Sequence, residues 1–273
     1  MMRGINPSTN KNRMNPTLNW MLAQALLLCV ACQRAPQSAS ADAAQAQITP
    51  ESSRTLTFVS ITGHARLKGA APVSRSVRPS PELQRTCGEV IPDETLRTNQ
   101  DGAIADVVVY LEDGRMLSKE GGSTDLRQAI IDQRKCAFKP PVTVAPAGGL
   151  LEILNSDPLL HNVRADRDSQ SVFNFAMPIE GMRSRRQLPP QPAILRLHCD
   201  VHPWMQAVIR TFDHSYFALS DETGAYRLGK VPSGQHKLIF WHSRLPQQSV
   251  DVELSDRPAV QDVLWSATEV AAQ

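Results

Sequence analysis

The most informative segment of the chain is ILRLHCDVHPWM, residues 194–205. Its first four residues, Ile194–Leu197, are rich in bulky apolar side chains and predict a short, half-buried β-strand. A thiol, an imidazole and a thioether then follow at three-residue intervals, as Cys199, His202 and Met205. These side chains bind soft or borderline metal ions, so the sequence predicts a metal-binding loop at the end of a strand.

A second predicted strand, Leu150–Leu154, leads through a polar turn to His161. With this residue the ligand set contains one thiolate, two imidazoles and one thioether. Two histidines and a cysteine in a plane, with a weakly bound axial methionine, form a blue-copper electron-transfer site. The thiolate supplies a covalent electronic path, and the thioether tunes the reduction potential. We therefore expect one type 1 copper ion.

At this point the sequence resembles a known family. Residues 125–212 are similar to the cupredoxins, above all the amicyanin- and plastocyanin-like proteins, through FKPPVTVAPAGGLLEILNSD (residues 138–157), through HNV (residues 161–163) and through the Cys-x-x-His-x-x-Met loop. The resemblance implies His161, Cys199, His202 and Met205 as copper ligands. It implies that Asn162 hydrogen-bonds toward the cysteine sulfur. It also implies an electron exit at the later histidine, through an apolar surface patch formed by Pro203, Trp204, Met177 and Pro178.

A second resemblance lies further along the chain. Residues 218–241 are similar to the carboxypeptidase-regulatory-like (transthyretin-like) β-sandwich, with turns at Asp221–Gly224 and Val231–Gly234. Such domains begin with strands like those predicted before residue 112. We therefore expect one sandwich built from residues 55–124 and 213–273, with a cupredoxin domain of residues 125–212 inserted into it. The alternative is a single enlarged cupredoxin with extra edge strands.

The ordered part of the sequence predicts an all-β fold, because short runs of β-formers end at Gly, Pro or Asp. Thr124–Arg134 has an approximate helical stripe, but a strand over Ala129–Gln133 competes with it. The clearest predicted strands are Thr57–Leu67, Ala105–Leu111, Leu150–Leu154, Ile194–Leu197, Ala207–Thr211, Tyr216–Ser220, Tyr226–Leu228, His236–Trp241 and Ser249–Leu254.

The sequence at the amino terminus predicts that the protein is exported. Three cations precede an apolar run of about a dozen residues, too short to span a hydrocarbon core of roughly 30 Å. The run ends LCVACQ, similar to a bacterial lipobox in which Cys32 becomes the lipidated first residue, although Cys29 stands where leucine is usual. We expect a signal peptide over residues 1–31, a flexible linker over 32–54, and a membrane-anchored lipoprotein in the periplasm or on the cell surface. Plain secretion, with cleavage in the alanine-rich stretch of residues 38–46, is the alternative.

The remaining cysteines are Cys87 and Cys136. With Cys32 assigned to lipid and Cys199 to copper, these two are left in the exported chain, and an oxidising compartment favours their pairing. Separate, unpaired roles are the alternative.

Charge and composition exclude some classes of function for this protein. A formal net charge of +2 with 21% charged residues excludes a strongly basic nucleic-acid binder. No His-x-His motif supplies a second copper centre, so we expect an electron carrier and not an enzyme, serving a cytochrome or oxidoreductase partner. The alternatives are a copper storage or delivery protein and a cell-surface binding module with a vestigial copper site.

The other histidines and one cationic run are expected to serve structure. His198 is expected to point away from the metal, His214 and His242 to pack beside aromatic rings, and His64 and His236 to be isolated. Arg183–Arg186 is expected to be a solvated loop, with docking of an acidic partner as its alternative.

Overall fold

The computed structural model describes residues 57–72, 75–118 and 129–268. The all-β prediction is confirmed, since strands dominate the described residues and the two helices are short. No helix in these ranges is long and apolar enough to cross a membrane. The strands are β1 (Phe58–Lys68), β2 (Val108–Leu111), β3 (Ala129–Gln133), β4 (Phe138–Lys139), β5 (Val142–Pro146), β6 (Leu150–Asn155), β7 (His161–Arg167), β8 (Gln170–Met177), β9 (Arg183–Gln187), β10 (Ile194–His198), β11 (Gln206–Phe212), β12 (Phe217–Leu219), β13 (Ala225–Pro232), β14 (Gly234–His242), β15 (Leu245–Leu254), β16 (Ala259–Val260) and β17 (Val263–Ser266); the helices are α1 (Pro81–Cys87) and α2 (Gly114–Ser118).

Two sheets combine strands from both ends of the described chain, and we call their strands the outer region (β1, β2 and β12–β17). In the first sheet, β1 pairs with β13 in antiparallel and with β16 and β17 in parallel orientation. In the second, the order is β12-β2-β14-β15. Apolar side chains from both sheets, among them Ile61, Leu111, Phe240 and Trp265, form one buried core between them.

The other two sheets are formed by β3–β11, which we call the central region. One has the order β5-β11-β10-β7-β8 and the other β4-β3-β6-β9. Their inner faces enclose a second core that contains Ile131, Ile153, Leu195 and Ile209. None of these nine strands pairs with a described strand of the outer region.

A third cluster joins the two regions. Val208 and Phe212 of β11 point away from the central core and pack against Val108 of β2 and Trp241 of β14. Arg210 lies in the same contact, with its guanidinium carbon 4.6 Å from the Tyr110 ring centroid and 4.7 Å from that of Trp241. The four sheets therefore stack in layers, with an apolar core on each side of the contact between regions.

The two turns predicted at residues 221–234 lie where the sequence placed them. The Asp221 carboxylate accepts the N–H of Thr223 at 2.8 Å and of Ala225 at 3.1 Å, which closes the turn between β12 and β13. Gly224 has φ 75°, and a side chain there would approach the Ala65 carbonyl oxygen to 2.5 Å. Glycine is required at this position both for its backbone angle and for space.

One open alternative is decided and two local predictions differ from the structure. Of the two possibilities for residues 124–134, the strand over Ala129–Gln133 is confirmed, while residues 124–128 lie outside the described residues. Arg183–Arg186 is part of edge strand β9 and not a loop; the Arg183 and Arg185 side chains lie 3.6 and 3.7 Å from the Glu152 carboxylate. Finally, Cys87 and Ile91 are buried in the central core, although the sequence grouped that segment with the outer strands.

Candidate metal centre

Antiparallel pairing of β7 and β10 brings the predicted ligands together. The register Leu197↔Ala165 and His198↔Arg164 sets the start of β7 beside the end of β10. His161 is the first residue of β7 and Cys199 follows the last residue of β10, so both lie at the same end of the central core. The loop that continues from Cys199 adds His202, and it returns the chain into β11, which pairs with β10.

The two histidines and the cysteine of the predicted ligand set converge. One nitrogen each of His161 and His202 and Sγ of Cys199 lie within 4.8 Å of one another, and all three residues are buried. Nδ1 of His161 is 2.9 Å from Nδ1 of His202, and Sγ of Cys199 is 3.7 Å from the latter. The two imidazoles therefore present the same ring nitrogen to the thiol.

Cys199 is poised as a thiolate. Burial alone favours the neutral thiol, but hydrogen bonds with His161, His202 and the backbone lower the pKa of Cys199 to about 5. One of these bonds comes from the Asn162 backbone N–H, 3.4 Å from Sγ. A thiolate beside two imidazoles is a donor set suited to copper or zinc, so the residues fit the predicted metal.

Asp157 holds the second nitrogen of His161. Nε2 of His161 donates to Oδ2 of Asp157 at 2.9 Å, which leaves Nδ1 of the neutral ring as an acceptor that faces His202 and Cys199. Burial opposes the charged forms, but the hydrogen bonds of this pair keep the pKa of Asp157 below and that of His161 above its ordinary value. Asn155 shapes the turn, because Nδ2 donates to the Leu159 and Met177 carbonyls at 3.0 and 2.9 Å.

Asn162 ties the first histidine segment to the cysteine loop. Its side-chain oxygen accepts the Asp200 N–H at 2.5 Å, while its Nδ2 donates to Oδ2 of Asp200 at 3.0 Å and to Oδ1 of Asn174 at 2.8 Å. The contact to sulfur is made by the Asn162 backbone and not by its amide side chain. The side chain fixes the backbone next to Cys199.

Met205 closes the loop from inside the core. It is 1% exposed and belongs to the same apolar cluster as Cys199. Its N–H donates to the His202 carbonyl at 2.9 Å, and its own carbonyl accepts the Cys199 N–H at 3.3 Å. These bonds hold the seven-residue loop as a compact turn.

The expected surface patch differs from the structure. His202 is 4% exposed, and Met177 is fully buried, with the Gln133 amide 3.1 Å from its sulfur. Trp204 is half-buried beside the His202 ring, at a centroid distance of 5.2 Å. Exposed apolar side chains do flank the two histidine segments, namely Leu160, Ile179 and Val201 together with Pro178 and Pro203.

The other cysteines and histidines are placed as follows. Cys87 and Cys136 are bonded to each other, with Cα atoms 5.0 Å apart, while Cys32 lies outside the described residues. His198 points away from the centre to Asp166, with Nε2 3.2 Å from Oδ2. His236 is not isolated, because its ring bonds to the Pro232 carbonyl and to Asp113.

The sequence did not identify Asp157, Asp200 or Asn174 as residues of the site. A signal for Asp157 was present, since an acid four residues before His161 in a polar turn can reach the ring. Asp200 and Asn174 gave no signal, because their contact depends on the pairing of β7 with β8.

No protein-family model and no curated protein matches the sequence. Solved structures similar to about a third of the chain are cupredoxins. They include the Cu-containing nitrite reductase from Thermus scotoductus SA-01 (24% identity, 32% of this chain and 22% of that one, TM-score 0.28). A purple cupredoxin from Nitrosopumilus maritimus (19%, 31% and 100%, 0.27) and amicyanin from Paracoccus versutus (14%, 34% and 87%, 0.28) are also similar. The chain thus spans about a fifth of the nitrite reductase.

Proposed function

We propose that this protein is a type 1 blue-copper protein that carries single electrons. The observation that supports this most directly is the convergence of the Cys199 sulfur with one nitrogen each of His161 and His202, all buried and within 4.8 Å. A copper ion bound there would supply one-electron Cu(II)/Cu(I) chemistry. Met205, buried in the same cluster, would be the fourth ligand.

The chain's own residues favour such a site in three ways. The lowered pKa of Cys199 provides a thiolate at neutral pH without a metal to displace the proton. The bond from His161 to Asp157 fixes the tautomer whose Nδ1 is free to coordinate. Burial of both histidines excludes water, so the surroundings need little rearrangement when the charge of the centre changes.

The cellular setting is part of the same proposal. The signal-like residues 1–31 and Cys32 support a lipid-anchored protein of the periplasm or cell surface, delivering electrons to a cytochrome or oxidoreductase rather than acting as an enzyme. The exposed apolar side chains Leu160, Ile179 and Val201 support docking of such a partner next to the histidines. The two turns at residues 221–234 support a carboxypeptidase-regulatory-like sandwich in the outer region.

Copper titration of the exported chain tests this function. Wild-type protein should bind one Cu(II) and develop an intense visible band from thiolate-to-copper charge transfer, with the small hyperfine splitting of a type 1 site in electron paramagnetic resonance. Cys199→Ser should abolish the band completely, because a serine oxygen cannot replace the covalent sulfur bond. The matched control is His198→Asn, which changes the neighbouring side chain and should leave the spectrum unchanged.

Other outcomes separate the alternatives. A spectrum of Cys199→Ser identical to that of wild type would mean that copper binds elsewhere. Cu(I) that is captured by a chelator within seconds, with no reversible electrochemistry, would favour storage or delivery. A wild-type chain without any band would favour the binding module with a vestigial site.

A further inference from the structure

Cys136 lies next to the metal centre as well as in the disulfide. It occupies the turn between β3 and β4, where Lys135 and Cys136 have φ angles of 53° and 55°. This left-handed backbone directs both N–H groups to one carboxylate: Lys135 donates to Oδ1 of Asp157 at 2.7 Å and Cys136 to Oδ2 at 2.8 Å. The same Oδ2 accepts Nε2 of His161 at 2.9 Å. A cysteine backbone and a proposed ligand therefore share one oxygen atom.

The same cysteine also contacts the surroundings of the second histidine. Its carbonyl accepts the indole N–H of Trp204 at 3.1 Å. The Trp204 ring packs beside that of His202. Cys136 thus bonds through its N–H to Asp157, which contacts the His161 ring, and through its carbonyl to Trp204, which contacts the His202 ring.

The disulfide fixes this backbone in place. Two successive non-glycine residues in the left-handed region are unfavourable and persist where surrounding structure holds them. The Cys136 side chain is fully buried and bonded to Cys87, the last residue of α1, which is itself buried in the central core. Sγ of Cys136 lies within 4.8 Å of a carboxylate oxygen of Asp157 and a nitrogen of His161.

We propose that the Cys87–Cys136 disulfide is a positioning element of the metal centre, acting on His161 through Asp157 and on His202 through Trp204. The inference rests on the proposed function. Removal of a group that orients a metal-binding histidine typically lowers the metal affinity tenfold to hundredfold. A disulfide with a merely structural role would change stability but leave the spectrum and affinity of the folded protein unaltered.

The experiment compares the full chain with the double variant Cys87→Ala/Cys136→Ala. Cobalt(II) is the affinity probe, and the Cu(II) band, the hyperfine splitting and the reduction potential are recorded for the copper form. The double variant should bind cobalt(II) tenfold to hundredfold more weakly and show a shifted band and potential. Leu151→Ala, a fully buried residue of the same core that makes none of these hydrogen bonds, is the destabilised control and should keep the wild-type spectrum.

Two conservative variants separate the two arms and keep the test valid if the double variant does not fold. Asp157→Asn should move the imidazole signals of His161 in nitrogen-15 magnetic resonance of metal-free protein. Trp204→Phe keeps the ring but loses the N–H, and should move those of His202. The effect of Asp157→Asn on cobalt affinity should also shrink when the disulfide is absent, because coupled groups are not additive.

Several results would overturn the inference. One is a double variant with the spectrum, potential and cobalt affinity of wild type. Another is that, in metal-free protein, Asp157→Asn leaves the imidazole signals of His161 unchanged and Trp204→Phe leaves those of His202 unchanged. A wild-type chain without a thiolate-to-copper band, but with the expected imidazole shifts, would instead reject the proposed function and leave the positioning role standing.

Discussion

The central and outer regions are both two-sheet sandwiches, but they bury different chemistry. The core of the outer region is aliphatic and aromatic, and includes Ile61, Phe240 and Trp265. The core of the central region contains a thiol, a thioether and a disulfide, and Asp157, His161 and His202 are buried at its end. Buried ionisable groups cost free energy unless they are bonded to one another. The outer region also buries His236 and His242, but among the described residues clusters of three potential metal ligands occur only in the central region. The central region therefore holds the candidate site, while the outer region mainly stabilises the fold.

The largest expected effect on stability comes from removing a large side chain from one of the two cores and recording whether the metal centre changes. Trp265→Ala removes a fully buried ring and leaves the Pro246 carbonyl without its indole donor, 2.8 Å away in wild type. Removal of a buried aromatic side chain costs about 3–5 kcal/mol. Urea denaturation should show this loss, while the copper spectrum of the folded variant stays that of wild type.

Phe138→Ala is the counterpart in the central region. The ring is 1% exposed and shares its cluster with Cys136, Cys199 and Met205. Unlike Leu151 of the same core, Phe138 lines a small pocket together with Cys136, Trp204 and Met205. A similar loss of stability should therefore be accompanied by weaker metal binding. A spectral change in Trp265→Ala as large as that in Phe138→Ala would contradict the division between the regions.

The pH dependence of stability tests whether a buried histidine of the outer region has a lowered pKa. His242 is 2% exposed, and burial followed by the charge of Arg244 lowers its pKa to about 4 from 6.5. Between these pKa values the unfolded chain binds a proton at His242 that the folded chain does not bind. The free energy of unfolding therefore falls as the pH decreases below 6.5, and this loss is complete below about 4. From pH 7.5 to 4.5 this amounts to about 2–3 kcal/mol.

The measurement is the free energy of unfolding of wild type and His242→Gln at both pH values. Other groups titrate in both proteins and cancel in the difference. The variant should lose about 2–3 kcal/mol less on acidification. Equal losses would show that His242 is protonated in the folded state near its ordinary pKa.

A smaller effect is expected where Asn162 links the two ligand segments. Asn162→Ala removes the side-chain bonds to Asp200 and Asn174 but retains the backbone N–H that faces the sulfur. Metal affinity should fall tenfold to hundredfold, and calorimetric titration would measure it. Asn174→Ala is the control, because it removes outer bonds while Asp200 remains bonded to Asn162. An equal effect of both variants would assign the role to the network as a whole.

The smallest effect concerns the contact between regions. Arg210→Met removes the ring contacts and the bond to the Tyr110 hydroxyl at 2.8 Å, but it also removes a buried Nη1 that has no hydrogen-bond partner. Because these terms oppose each other, we expect a net loss of about 1 kcal/mol by chemical denaturation. Exposed Arg196→Met on β10 should stay within about 0.5 kcal/mol. A gain in stability for Arg210→Met would mean that the desolvation of the charge dominates.

The sequence was sufficient for those strands whose composition matches their environment. All nine of the clearest predicted strands correspond to observed ones within a few residues, from β1 to β15. Strands β4, β5, β7, β8, β9, β16 and β17 are not among the nine. Of these, β8 and β9 lie at sheet edges, where exposed and half-buried side chains alternate and where Arg183–Arg186 carries three cations. Edge strands need little apolar surface, so hydrophobic pattern does not reveal them.

For the site, the sequence determined the residue types and tertiary structure determined their relations. Cys199, His202 and Met205 are close in sequence, so their spacing alone predicted a common loop, and His161 joined them by its context. The register of β7 against β10 brought His161 to that loop, and the backbone of residues 135–136 brought Asp157 to the ring of His161. The surroundings of a ligand are set by hydrogen bonds between segments distant in the chain. Apart from the pair Asp157–His161, which are only four residues apart, local composition carries no record of those bonds, and only the folded chain decides them.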